Sequence, residues 1–125
     1  MPLFANKDKE TSYAKGVAAE AQAAEHLKAK GYQILKIRYK TKFGEIDLIA
    51  KQGNLICFVE VKVRAKQVDA LESVTPRTQR RIENSALFFL SEYPDYMNCD
   101  MRFDVITISG DANLVHLDNA WQARS

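Results

Sequence analysis

The chain has 125 residues, 46% hydrophobic and 27% charged, which fits one ordinary globular domain with core enough to need no disulfide or metal staple. Its formal charge is only +2, so net charge argues neither for nor against a polyanionic partner. Two cysteines, two histidines without zinc spacing, and no apolar window near ~20 residues exclude a secreted disulfide framework, a zinc module and a membrane span, and point to a cytoplasmic setting.

Residues 1–11 are polar and read as a flexible tail, leaving 12–125 as the single domain. From about Ser12 to Lys30 the alanine-rich pattern is helical, and Gly31 is placed to stop it. At 100° per residue, Val17, Ala23, Ala24 and Leu27 fall within about 60° of Glu20, so this carboxylate is central on the apolar stripe, while Glu25 and His26 point away. A carboxylate in a packing face needs a partner, either a structural cation or a site it serves. Strands follow at 32–39, 45–51 and 54–64, then a loop over 65–74. Thr75-Pro76 starts a second helix, threonine as N-cap and proline at the first helical position, running to about Glu92. The LFFL segment at 87–90 reads as core rather than as a docking surface. Strands at 101–109 and 113–118, joined by a turn at Gly110-Asp111, complete an αβββαββ order. The expected fold is therefore mixed α/β, a sheet covered by helices.

The charges concentrate in GEIDLIAKQGNLICFVEVKVR, residues 44–64. Side chains alternate along a strand, so Leu55, Cys57, Val59, Val61 and Val63 share an apolar face, and Phe58, Glu60, Lys62 and Arg64 the other. In the preceding strand Ile46, Leu48 and Ala50 oppose Glu45, Asp47 and Ile49. A two-residue Gly53-Asn54 turn sets Asp47 opposite Glu60 and Glu45 opposite Lys62; a three-residue loop breaks that register. Facing carboxylates repel unless a cation lies between them, and Mg²⁺ is commonly held by one or two carboxylates plus water and phosphate oxygens. The plainer reading is the solvent face of an amphipathic hairpin, with Glu45–Lys62 a surface ion pair.

Basic residues surround this hairpin. Lys36, Arg38, Lys40 and Lys42 alternate along one strand, Arg64 follows Lys62, and Arg77, Arg80 and Arg81 crowd the first turns of the second helix. Arginines there oppose the helix dipole unless an anion sits nearby. Nucleic acid offers phosphates at regular spacing and is bound by such residues irrespective of sequence.

Asp47, followed thirteen residues later by Glu60-Val61-Lys62, resembles the PD-(D/E)XK nuclease core. More closely, Gly16 to Glu20, GYQIL, GEIDLIA, FVEVKVR, VTPRTQRR, RFDVI and HLDNAW resemble the YraN family of predicted endonucleases, which is similar in turn to archaeal Holliday-junction resolvases. The resemblance implies a restriction endonuclease-like αβββαβ core in which Asp47, Glu60 and the Val61 carbonyl bind Mg²⁺, with Mn²⁺ as a substitute. It implies that Lys62 orients or activates the attacking water and that Glu20 is the helix-borne acid. Glu45 matches the GEID segment, and we read it as a supporting residue pairing with Lys62 or Arg64. The implied partner is DNA, branched or of the repair type, with a homodimer suggested and no organic cofactor. A module that keeps the fold and binds nucleic acid without cutting is the alternative. The chain departs from the family pattern at Ala19, Arg38, Val63 and Thr78, none of them in the acidic set.

Overall fold

The structure, a computed structural model, describes residues 2–64, 72–110 and 113–123, with side chains from residue 14 onward. Most of the 65–74 loop and the Asp111 half of the last turn thus lie outside the described residues. Helix α1 spans Pro2–Ala29, strands β1 to β3 Gln33–Thr41, Gly44–Gln52 and Leu55–Arg64, helix α2 Pro76–Glu92, and strands β4 and β5 Asp100–Ser109 and Leu114–Trp121. A short 3₁₀ turn at Pro94–Tyr96 links α2 to β4.

The largest departures from the sequence reading are at two element ends. Helix α1 begins at Pro2, not near Ser12. Proline suits a first helical turn, and no glycine or further proline interrupts the chain before Gly16. Strand β5 runs on to Trp121, whose indole N–H donates to Glu83 of α2 at 2.9 Å.

The sheet order is β1-β2-β3-β4-β5, antiparallel except for the parallel β3–β4 pair that α2 connects. The sheet is packed on both faces. Alanines make α1 a thin helix that lies close: Ala19, Ala23, Ala24 and Leu27 meet Leu48, Ala50, Cys57, Val59 and Ile106. On the other face α2 sets Ile82, Ala86, Phe89 and Leu90 against Ile49, Ile56, Phe58 and Phe103. Phe89 and Leu90 of the LFFL segment are therefore core, while Leu87 is exposed. Val17, expected on the α1 stripe, is also exposed, because Ala19 carries the buried stripe into the next turn.

The α2 start follows the expected capping chemistry. Thr75 is extended, and its hydroxyl accepts from Thr78 N at 3.2 Å with Pro76 next in line. Thr75→Ala should destabilise the protein by about 1 kcal/mol, measurable by urea denaturation; no change would mean that the cap is dispensable.

The Gly53-Asn54 turn has two residues, as the favoured register requires: Gln52 pairs with Leu55 and Leu48 with Val59. Gly53 has a φ of +57°, and glycine at the first turn position carries that conformation without strain. This turn fixes which residues of β2 and β3 face each other.

Candidate active site

The β2–β3 ladder ends at Leu48–Val59, and the next position is Asp47 against Glu60. Here the carboxylate of Asp47 replaces the strand: Val61 N donates to Asp47 Oδ2 at 2.8 Å. The backbone N–H that would lose its partner where the ladder ends is thereby satisfied, and Asp47 is pinned in the gap.

Strict alternation fails at this point. Ile46, expected beside Leu48 and Ala50, packs instead with Ile49 and Phe58 under α2. The cause is visible in β1, where Arg38 adopts a φ of +54° and interrupts the pairing between Ile37–Leu48 and Tyr39–Ile46. A non-glycine residue in this conformation reverses the pleat locally, so Tyr39 and Ile46 turn together toward Phe89.

Glu60 is only 6% exposed and Lys62 Nζ lies 3.7 Å from its Oε2. Burial, then the hydrogen bond and charge of Glu60, hold the Asp47 carboxyl well above the ordinary carboxylate range; the Val61 N–H and Lys62 oppose this without prevailing. Glu20 approaches from α1 with its side chain 13% exposed, and Arg38 Nε donates to it at 2.5 Å. Burial raises the Glu20 pKa despite that hydrogen bond, with the charges of Asp47 and Glu45 adding to the rise. Asp47, Glu60 and Lys62 thus meet where the two strands part, and Glu20, held by Arg38, lies near enough to Asp47 to feel its charge.

The basic residues are distributed differently from the sequence reading. Arg38 leaves the expected row for Glu20, because its positive φ turns it toward α1. Lys36 stacks its ammonium over Tyr93 at 4.8 Å. Glu45 stands opposite Lys40 in the β1–β2 ladder rather than opposite Lys62, whose ion-pair partner is Glu60. Arg64 donates to the carbonyl of Val63 at 2.9 Å. Lys42 lies at the tip of the β1–β2 hairpin, and Arg77, Arg80 and Arg81 face that tip from α2 across a cavity.

Glycine 44, which opens the GEID segment, is required by this packing. Its φ is +146°, and a Cβ there would lie 2.7 Å from Cδ of Arg81. Gly44→Ala should therefore cost about 1–3 kcal/mol in thermal or denaturant unfolding and displace Arg81. Wild-type stability in that variant would contradict the account of this contact.

A second polar cluster went unseen in the sequence. Asp104 of β4 is fully buried and accepts two hydrogen bonds from Arg102, one from His116 Nε2 and one from Asn119 N, all between 2.8 and 3.1 Å. Burial alone would raise its pKa, but those donors outweigh it and hold the carboxyl below its usual range. The chain continues outward through His116 Nδ1 to the half-buried His26, whose Nε2 lies 3.2 Å away. Arg102 also donates to the Tyr32 hydroxyl at 2.7 Å. Beside this cluster burial and the charge of Asp104 push the Cys57 thiol up to about 12, so Cys57 is an inert core residue, as expected.

Comparison with known proteins accounts for most of these segments at once. A family model described as "Uncharacterised protein family UPF0102" matches residues 19–108. The chain belongs to the UPF0102 family. It is 43% identical over 122 residues to a UPF0102 protein of Rhodopseudomonas palustris, covering 98% of this chain and 90% of the relative. A Mesorhizobium japonicum UPF0102 protein is 42% identical over 117 residues and covers 94% of both chains. One from Bradyrhizobium diazoefficiens is 44% identical over 108 residues, 86% of this chain and 81% of the relative. The UPF0102 match takes in Glu20, Asp47, Glu60, Lys62, Arg102 and Asp104. His116 and Trp121 lie beyond it, on the strand that completes the UPF0102 sheet in this protein. No helix among the described residues is long and apolar enough to cross a membrane.

Proposed function

We propose that this UPF0102 protein is a metal-dependent endonuclease of the PD-(D/E)XK type, close to the YraN pattern, hydrolysing phosphodiester bonds in DNA. One observation carries the reading: Asp47 and Glu60 are neighbouring carboxylates in a largely buried gap, with Lys62 alongside as the cation nearest to Glu60. Two desolvated carboxylates repel each other, and a divalent cation relieves that penalty better than a proton shared between them.

The donor set suits a hard cation. Asp47, Glu60 and the Val61 carbonyl offer oxygens only, and Mg²⁺ needs just one or two protein carboxylates, filling its remaining positions with water and phosphate. When bound, Mg²⁺ or Mn²⁺ supplies charge for the phosphate and lowers the pKa of water. The chain's own residues do the rest. The Val61 N–H fixes the Asp47 carboxylate, so its free oxygen is oriented before any ligand arrives. Lys62 donates to the attacking water and offsets charge on the phosphate. Glu20, whose raised pKa brings it nearer neutrality, accepts the proton released as water attacks phosphorus and the bond to the leaving oxygen breaks. Arg38 holds Glu20 in place for that transfer.

A second reading, a nucleic-acid-binding module that does not cut, has one observation in its favour. Among the described residues no three or more histidines, cysteines, aspartates or glutamates gather as a metal-holding group. Carboxylates aimed at phosphate would serve such a module poorly, which favours the nuclease. With this reading go a cytoplasmic setting and, from the likeness to resolvases, a homodimer.

The test is cleavage of single-stranded, duplex and four-way-junction DNA in Mg²⁺ or Mn²⁺ by wild type and Glu60→Gln. Cutting by wild type alone supports the nuclease. Equal activity in both would be a contaminant, and tight binding without cleavage would establish the binding module.

A further inference from the structure

The turn that joins β1 to β2 is two residues long, Lys42-Phe43, and it is held more firmly than an ordinary surface hairpin. Thr41 Oγ1 donates to the Gly44 carbonyl at 3.0 Å, accepts from Phe43 N at 3.0 Å, and lies 3.0 Å from Ser85 Oγ of α2. The Phe43 ring meets Phe88 of α2 edge-on at 6.5 Å, yet Phe43 remains 41% exposed. Beside it lies a cavity of about 440 Å³ lined by Phe43, Pro76, Arg77, Arg80, Arg81 and Asn84. No carboxylate lines it, and none of the ion pairs among the described residues engages those three arginines. Lys42 adds a fourth cation, its ammonium lying over one face of the Phe43 ring, 5.3 Å from the centre, on a flexible stem that a base would displace.

A fixed, half-exposed aromatic face among four cations matches a ligand with a flat apolar surface and negative charge. An apolar peptide would leave the arginines unsatisfied, and a bare phosphate would leave the ring unused. A base joined to its phosphates uses both, since bases stack on aromatic side chains and guanidinium groups hold phosphate oxygens in fork geometry. A duplex keeps its bases inside its own stack, so the base that reaches Phe43 is unpaired.

We propose that Phe43, with Lys42, Arg77, Arg80 and Arg81, is a stacking platform for an unpaired nucleotide, and that the protein takes DNA with single-stranded character. The proposal rests on the nuclease reading only for its position. Gly44 and Asp47 are three residues apart on β2, about 10 Å, so the stacked base would sit a nucleotide or two from the phosphate at the carboxylate pair.

Binding in EDTA separates this proposal from catalysis. Fluorescence anisotropy would compare oligo(dT), a duplex of equal length and a thymidine mononucleotide as competitor, using wild type, Phe43→Ala and Phe43→Leu. Both variants should bind oligo(dT) roughly tenfold more weakly with duplex affinity unchanged, since stacking on an aromatic is lost. Phe43→Trp should bind as wild type does, and its emission should be quenched by oligo(dT). Unchanged oligo(dT) affinity, or equal losses on both DNAs, would overturn the proposal. So would a mononucleotide that competes as well as the strand, because the pocket would then be a free-nucleotide site. If wild type cuts no DNA but Phe43→Ala still loses oligo(dT) selectively, the platform stands and the nuclease falls. If it cuts and Phe43→Ala binds normally, the nuclease stands and the platform falls.

Discussion

Asp47→Asn should lower metal-dependent cleavage by roughly a thousandfold while leaving the fold intact. A metal ion contributes several kcal/mol to such a transition state, and about 4 kcal/mol corresponds to three decades in rate. Asparagine keeps an oxygen for the Val61 N–H, so the local backbone has no reason to move. Without metal, burial and Glu60 already push the Asp47 carboxyl toward its neutral form, which asparagine mimics. In chelator the variant should therefore melt no lower than wild type. Added Mn²⁺ should stabilise wild type by about 2.7 kcal/mol at a hundredfold excess over Kd and leave Asp47→Asn unmoved. A variant that lost activity by unfolding would melt lower in both conditions, which distinguishes a broken fold from a missing ligand.

Asp104→Ala should be the most damaging single change outside the candidate site. It leaves Arg102 and a His116 side chain only 4% exposed without their common acceptor, and also orphans the Asn119 N–H. Breaking a buried ion pair from one side costs about 3–5 kcal/mol, or roughly 12–20 °C in Tm for a domain of this size. A loss below about 1 kcal/mol would mean that water replaces the carboxylate readily and that the cluster does not hold β4 to β5.

The same cluster sets a pH dependence. His26 has its pKa lowered from 6.5, first by burial, then by Lys30 and His116, so the folded state resists taking a proton there. The unfolded chain binds that proton more readily, and the associated stability is present above about pH 6.5 and declines as pH falls through that point. Asp104, also lowered, adds a second loss once pH drops below the ordinary range of its carboxyl, near 3.8. Around His26 and His116 the charged groups are Lys30, Asp104 and, through Asp104, Arg102. Urea denaturation between pH 7.5 and 5.5 should show declining stability in wild type and a flatter profile in His26→Gln. Parallel profiles would assign the decline to other groups.

How legible the site was in the sequence depended on the kind of interaction. Strand parity and a glycine-first turn are local, and they suffice to set Asp47 against Glu60. The same parity misplaced Ile46, because it could not anticipate a positive φ at Arg38 in the neighbouring strand. It also left Arg38 in a basic row, although Glu20 holds it. Glu20 itself was recognisable as a carboxylate on an alanine stripe, but its partner lies eighteen residues away across a helix–strand contact. Asp104 was hidden for a similar reason. Its donors come from its own strand and from β5, where Asn119 sits at a break in the pairing register, and His26 joins from α1. The role of Phe43 was likewise illegible, since a turn-tip phenylalanine acquires its basic surroundings only when α2 packs beside the hairpin.

The most direct test of the central claim, that Asp47 and Glu60 close around a divalent cation, is a Mn²⁺ titration followed by electron paramagnetic resonance. Wild type should bind one Mn²⁺ per chain, displaced by Mg²⁺, with that site absent from both Asp47→Asn and Glu60→Gln. Equal Mn²⁺ binding by wild type and the two variants, or none by a wild type that nevertheless cuts DNA, would contradict the claim.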